Sequence, residues 1–292
     1  MLRRDIRAGE LHLLLAALLV AVAAMTAVGF LTDRVQQALD REASQLLGGD
    51  LLLRADHPWP EAVRGAALQQ GLRVVATETF PSMVAIGAGE AARAQLAEIK
   101  AVEAGYPLRG SLRIADTPAG PARKAVGVPE AGSVWIDERL ASLLPAKVGD
   151  LVTVGQRQLR VGAILTFEPD RGVNFFSVAP RLMLALDDLA STELVQPGSR
   201  VNYRLLFAGE AEQVQVFRKS IEKKLARGER LEDTSNARPE IRSALDRAQR
   251  FVGIAALLTV VLAAVAVALA ARRYLQRHLD GCAVMRCLGA TQ

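Results

Sequence analysis

Two long stretches without charge constrain this sequence more than any other feature. Residues 11–32 contain only one ionisable side chain, His12, and residues 251–271 contain none. A helix needs about 20 apolar residues to cross a bilayer, so each block is long enough to span. The apolar core of a signal peptide runs to about 7–15 residues. The first block therefore reads as a retained span, although Arg3 and Arg4 precede it and Ala21-Val22-Ala23 supplies small residues. Arg272-Arg273 gives the second block a stop. An ordinary soluble enzyme, a secreted disulfide scaffold and a disordered tail are all disfavoured, because the apolar residues cluster in these blocks. The class is a membrane protein with a large insert.

The formal charge of +5 could suggest a nucleic-acid binder, but its distribution argues otherwise. Residues 1–10 carry a net +1 and residues 272–292 a net +3, which leaves 29 basic and 28 acidic side chains between the blocks. The excess sits in short arginine-rich flanks, which the positive-inside rule weighs. Both ends are therefore expected in the cytoplasm and residues 33–250 outside. Aromatic residues make up only 4% of the chain and the insert has no basic stripe, so nucleic acid is not an expected partner. Cys282 and Cys287 both lie in the C-terminal tail, so the insert has to be stable without disulfides. Their spacing, with only His278 nearby, is not that of a zinc site.

Helical periodicity continues beyond the first block through Val35, Leu39, Ala43, Leu46 and Leu47, and Gly48-Gly49 ends it. Ile241, Ala244, Leu245 and Ala248 repeat the pattern after Pro239, toward the second block. Each span thus carries a stalk. Between the stalks the patterning predicts a strand at 50–54, a helix at 59–70, strands at 72–78 and 83–87, and a helix at 90–99, which together make an α/β layer. A segment richer in Gly and Val follows, with strands at 133–136, 151–154 and 159–165 and turns at Gly149-Asp150 and Gly155-Gln156. A helix-loop unit around 182–189, a strand at 201–207, a helix at 211–227 and a polar stretch to Pro239 complete the insert.

The expected fold class is an α+β membrane protein, with two transmembrane helices and their stalks flanking an extracytoplasmic α/β domain that carries a β-rich insertion. The expected organisation is a cytoplasmic N terminus (1–10), a first span (11–32), a stalk (33–49), the first part of an α/β subdomain (50–104), a β-rich subdomain (105–190), the second part of the α/β subdomain (191–236), a stalk (237–250), a second span (251–271) and a cytoplasmic segment (272–292).

The sequence shows no catalytic constellation. It has no G-x-x-x-x-G-K-[ST], no H-E-x-x-H and no G-x-S-x-G. His12, His57 and His278 fall in three different compartments of the expected topology. Glu168 and Asp170 flank Pro169, and paired carboxylates can serve acid–base chemistry. The simpler expectation is a solvated turn, in which the aspartate bonds its own backbone. In the tail, Leu279, Cys282, Ala283 and Arg286 recur at helical spacing, and Leu288-Gly289-Ala290 ends the run as a glycine cap would. That implies a short cytoplasmic helix, lying on the membrane surface or docking on another protein.

The order of span, stalk, large insert, span and the tail "LDGCAVMRCLGAT" resembles the FtsX-like, MacB-type permeases of ABC transporters. "VWIDERLASLLPAKVGDLVTVGQRQLRVGAIL" is similar to the β-rich part of that family's periplasmic core domain. "EPDRGVNFFSVAPRLML" and "QPGSRVNYR" are most similar to its YbbP-like branch. The resemblance implies a non-enzymatic permease subunit of the bacterial inner membrane, with no cofactor of its own and ATP and Mg bound by a partner ABC-type ATPase. It implies a coupling helix at Asp280, Ala283, Val284, Met285, Arg286, Leu288, Gly289 and Ala290, where Gly281 and Cys282 stand in place of bulkier apolar residues. Motion would pass along stalk positions Val35, Leu39, Leu46, Ile241 and Leu245. Further implied partners are a second permease copy or a C-terminal permease half, membrane lipid and a periplasmic accessory protein, with lipophilic or lipid-linked cargo. Family members continue into more spans, so the chain is expected to be an N-terminal part. A two-span receptor and a membrane-anchored periplasmic hydrolase are the alternatives.

Overall fold

The computed structural model describes residues 44–87, 92–171 and 179–233 without a break, and scattered positions within 19–38 and 247–288. The chain divides into two units, Met1–Leu39 with Pro239–Gln292, and Asp40–Arg238. In the first unit the described positions are almost all helical, and large apolar side chains such as Leu19, Phe30, Phe251 and Leu262 are exposed. Among the described residues no helix is long and apolar enough to cross a membrane. Of the expected spans, 15 of the 22 residues in the first and 7 of the 21 in the second lie outside those residues.

The second unit carries, in chain order, β1 (Leu51–Ala55), α1 (Glu61–Gln69), β2 (Arg73–Ile86), β3 (Arg93–Val102), β4 (Arg113–Ala115), β5 (Arg123–Lys124), β6 (Ser133–Asp137), α2 (Glu138–Leu143), β7 (Leu151–Val154), β8 (Arg157–Phe167), β9 (Arg181–Ala185), α3 (Leu186–Thr192), β10 (Asn202–Ala208), α4 (Ala211–Glu222) and β11 (Arg230–Asp233). These strands form one mixed sheet in the order β11-β1-β10-β2-β3-β9-β6-β8-β4-β5, and β7 pairs with both β2 and β8. That last pairing closes a ring of six strands, β2-β3-β9-β6-β8-β7, so half of the sheet is a small barrel. The other half, β11-β1-β10 with the first part of β2, stays open.

Alternation along the strands explains the closure. Phe80, Val84, Ala97, Ile99, Val134, Ile136, Val152, Val154, Leu159, Leu182 and Leu184 come from all six ring strands and pack into one buried cluster. A barrel this narrow is filled by its own side chains. On β8 a bulge opposite Val134 and Trp135 shifts the register, so Val161 and Ile164 both reach that cluster while Ala163 and Leu165 face outward into a second core. The open half buries Leu51, Leu53, Val74, Leu205 and Phe207 beneath Ala67 of α1 and Val214, Phe217 and Ile221 of α4. Its opposite face joins the outer barrel wall around Leu52, Val75, Tyr106, Trp135, Met183 and Leu206.

The strands expected at 72–78 and 83–87 are one 14-residue strand. Pro81 lies within it: β10 pairs only as far as Thr79 and β7 only from Val84, so the residue without an N–H falls where that edge has no partner. The helix expected at 90–99 is a correction, since residues 93–102 form β3. Its Ala, Glu and Gln content favours a helix locally, but alternate burial of Ala97, Ile99 and Ala101 in the barrel outweighs propensity. The helix-loop unit at 182–189 is also corrected. Residues 181–185 are a strand and only 186–192 are helical. The polar stretch before Pro239 contains β11, and α4 stops at Glu222, five residues short of the expected end at 227. Residue 104 marks no break in the sheet, because β2 belongs to both halves.

Truncating the barrel interior should therefore cost far more than truncating its wall. Ile99→Ala is expected to lower stability by about 2–5 kcal/mol, and Leu96→Ala, three residues away and exposed, by less than about 0.5 kcal/mol. Thermal unfolding of the two purified variants checks this.

Candidate functional site

Where the barrel meets the open half, β3 carries a lysine among apolar residues. Ile99 and Ala101 point into the barrel, so Lys100 is turned to the other face. It lies opposite Thr79 of β2 and Met183 of β9, and Asn202 of β10 follows in the same row. The side chain is 1% exposed. An ammonium at that depth requires compensating charge.

The connection from β8 to β9 supplies that charge. Lys100 Nζ donates to Glu168 Oε1 at 2.6 Å and to both oxygens of Asp170 at 2.8 Å, and to the Tyr106 hydroxyl at 2.8 Å. The Tyr106 hydroxyl in turn donates to Asp170 Oδ1. Arg181, the first residue of β9, places Nε 3.0 Å from Glu168 Oε2 and Nη1 3.2 Å from Glu98 Oε2, both as ion pairs outside hydrogen-bond alignment. Arg204 of β10 lies 3.8 Å from Asp170. The next residue of the connection, Arg171, donates to Asp137 Oδ2 at 2.8 Å, and the other oxygen of Asp137 caps α2 through Leu140 N. Burial pushes the Asp170 carboxyl up, but Lys100 and Arg204 outweigh it, and its pKa lies below the ordinary value. The Tyr106 phenol is driven well up by burial and by the charges of Asp170 and Glu168. The Arg181 guanidinium is raised by Glu168 and Glu98 against the effect of burial.

The cluster adjoins the point where the chain enters this unit. Residues 44–47 form a last helical turn that ends at Gly48, whose φ is +70°. A Cβ at Gly48 would come 3.1 Å from Leu206 and 3.6 Å from Asp170. At Gly110 (φ +80°) it would come 3.2 Å from Pro169 and 3.3 Å from the Gln45 carbonyl. Gly48 O accepts from the amides of Leu108 and Arg109 at 2.9 and 3.0 Å, and the Arg109 side chain grips Asp50 at 2.7 Å. Close backbone approach thus brings the incoming helix end, the 108–110 segment and Pro169-Asp170 into one contact. A cavity of about 470 Å³ lies beside them, lined by Gln45, Leu46, Arg113, Phe167 and Pro169 among others.

The expectation of a solvated turn at Glu168-Pro169-Asp170 is overturned, since both carboxylates are buried against Lys100. Lys100, Tyr106, Arg181 and Arg204 were not singled out in the sequence. The available signal was a lone lysine inside a strand of small and branched residues, and it was hidden while that strand read as a helix. Among the expected coupling positions, Ala283 and Val284 are helical and exposed, and Leu288 closes the turn with a 3.1 Å bond to Val284 O. Asp280, Met285, Arg286, Gly289 and Ala290 lie outside the described residues. So do the stalk positions Val35, Leu39, Ile241 and Leu245, whereas Leu46 is helical and half-buried. Among the described residues no group of three His, Cys, Asp or Glu side chains could hold a metal.

In sequence the chain is similar to an ABC transporter permease, the class that its motifs resemble. Over 287 residues, 98% of its length, it is 36% identical to the uncharacterized ABC transporter permease YbbP of Escherichia coli (strain K12). It spans 34% of that relative's length. No family model matches the chain. Similar solved structures include the extracellular domain of the noncanonic ABC-type transporter YknZ from Gram-positive bacteria, at 13% identity over 63% of this chain and 100% of that one, with a TM-score of 0.40. Another is the periplasmic region of MacB from Actinobacillus actinomycetemcomitans, at 11% identity over 66% of this chain and 92% of that one, with a TM-score of 0.42.

Removing one partner of a buried ion pair typically costs about 3–5 kcal/mol, and Lys100→Met should do so by leaving Glu168 and Asp170 uncompensated. Adding Asp170→Asn should restore part of the loss in thermal unfolding, because Glu168 keeps Arg181 as its partner. Because the folded-state pKa of Asp170 is lowered, its stabilisation is present above the ordinary carboxylate pKa of about 4 and is lost as pH falls through the lowered value. The stability gap between the parent and Asp170→Asn should accordingly hold at neutral pH and narrow below about pH 4.

Proposed function

We propose that the chain is part of the permease subunit of an ABC transporter of the FtsX, MacB and Lol type, coupling ATP hydrolysis by a separate ATPase subunit to movement of a periplasmic domain. The observation that carries this reading is the 36% identity to an ABC transporter permease along 98% of the chain. Residues 11–32 and 251–271 would span the inner membrane, with both ends of this segment in the cytoplasm and residues 33–250 in the periplasm. Exposed apolar side chains on helical positions in both blocks support that placement. A coupling helix at Asp280, Ala283, Val284, Met285, Arg286, Leu288, Gly289 and Ala290 would dock on the ATPase, and a second permease copy or a C-terminal permease half would complete the membrane bundle. The cargo would be lipophilic or lipid-linked, extracted from the outer leaflet or the periplasm, with a periplasmic accessory protein receiving it.

The geometry suits mechanical transmission. Leu51 at the start of β1 pairs with Asp233 at the end of β11, so the chain enters and leaves the domain side by side on one sheet edge. Relative motion of two stalks would shear that edge. The incoming turn at 44–48 also rests on Pro169-Asp170, with the 470 Å³ cavity beside it as room to shift. Displacement there would act on the Lys100 cluster, which ties β8 to β9 and β10. A transition of this kind requires two states with different contacts, and the cluster supplies contacts that can differ.

The test is recovery of partners from native membranes. An ABC-type ATPase should co-purify with the parent chain and be lost from an Arg286→Glu, Gly289→Trp double variant. Retention of the same ATPase by the variant would sink the docking site, and ATP hydrolysis by the purified chain alone would overturn the division of labour.

A further inference from the structure

On the helix-covered face of the open half, a cavity of about 160 Å³ lies between the loop before α1 and strands β2 and β10. Its floor follows from register. Glu78 of β2 is opposite Tyr203 of β10, and Ala76 is opposite Leu205, so all four point the same way. The wall is Trp59, held between Pro58 and Pro60 in a segment whose φ angles are restricted. Trp59 packs against the core beneath α1 and donates its indole N–H to Tyr203 O at 3.3 Å. The cavity is therefore lined by two aromatic side chains and a carboxylate.

Glu78 has no hydrogen-bond or ion-pair partner among the described residues, although it is half-buried. Two arginines also line the cavity: Arg64 is engaged by Glu103, whose second oxygen accepts from Ala76 N at 2.7 Å, and Arg204 lies 3.8 Å from Asp170. Glu61 adds a further exposed carboxylate at the rim. Burial raises the Glu78 carboxyl, and the Tyr203 phenol is raised by burial and by the Glu78 charge, which fits a negative group held beside that ring.

We propose that this cavity binds an organic ammonium group, with Glu78 as its counter-charge and Trp59 and Tyr203 as the aromatic faces. Aromatic faces attract cations, most strongly when water is excluded. An anion would face an unpaired carboxylate, and an apolar ligand would leave that carboxylate desolvated without compensation. A hard metal ion requires several oxygen ligands, whereas the two rings offer none of the carboxylate or carbonyl kind. Drug-sized ligands occupy about 300–1,000 Å³, so the cavity takes a head group and leaves the rest of its bearer outside. That bearer is a small free amine, such as choline, or an amine-bearing lipid. The inference stands on the cavity and is independent of the permease reading.

The chain has two tryptophans, and Trp135 is buried in another core. Trp135→Phe therefore leaves Trp59 as the single fluorescent reporter in the full chain. Titration with tetramethylammonium chloride or choline chloride should change its emission saturably, while sodium chloride at equal ionic strength should not. Glu78→Gln, with an unchanged melting temperature, should weaken the response by about tenfold or more. Nanodiscs of phosphatidylethanolamine or phosphatidylcholine compared with phosphatidylglycerol separate the two sources. A response to free choline points to a soluble amine, and one to the amine-bearing lipids alone points to a head group. No saturable change with any of these probes, or a change equally strong in Glu78→Gln and Tyr203→Leu, would overturn the proposal.

Discussion

A lysine side chain 1% exposed inside a sheet is the constraint around which the joint of this domain is organised. Burying an ammonium costs several kcal/mol unless its charge and its protons are met. Lys100 is held by two carboxylates and a phenol, and those carboxylates cannot reach it unless residues 168–170 lie against the sheet. Once the connection is placed, Arg181 and Arg204 find their acids, and Arg171 reaches the aspartate that caps α2. The cluster thus specifies where three strands and one helix sit relative to each other. Apolar packing alone, which is non-directional, would fix this less narrowly.

The two halves of the sheet are not separate modules joined by a linker. β2 runs continuously from the open half into the barrel, so a force on the open edge reaches the barrel through a covalent strand. The barrel has a filled interior and no free edge in its ring, which makes it the stiffer body. The open half has β11 as a four-residue edge strand, at the point where the chain leaves. Strands β1 and β11 therefore lie next to the two chain connections, and the incoming turn at 44–48 also touches the barrel side through Phe167 and Pro169-Asp170. Lys100 and its acids bridge the boundary.

Much of the framework was legible because several segments carry a pattern that one physical cause explains. Residues 133–137, 151–154 and 157–167 alternate or run apolar between glycine turns, and they are strands. The apolar stripe of 211–222 at helical spacing is a helix over Val214, Phe217 and Ile221. Residues 93–102 misled because alanine and glutamate favour a helix locally, while pairing with β2 and β9 is a long-range property that no window contains. The same blindness hid the site. Lys100 and Asp170 are 70 residues apart, and nothing in the local sequence shows that they share a charge. Pro169 looked like a turn in water, yet the approach of Gly48 and Gly110 gives that turn a protein surface to lie on.

The two polar centres of the domain differ in a way that separates support from recognition. Around Lys100 the charges close on one another: each carboxylate faces a cation, the phenol donates to Asp170, and the lysine head is cut off from solvent. A closed network rigidifies and specifies, and it has little charge left for a visitor. Glu78 is the opposite case. It is partly withdrawn from water beside two aromatic rings, while the two arginines that line the same cavity are taken by Glu103 and Asp170. Desolvating a carboxylate without a partner costs free energy, and folding could have removed that cost with a glutamine or an apolar residue. A glutamate at this position is the residue type that gains when a cation arrives from outside the fold.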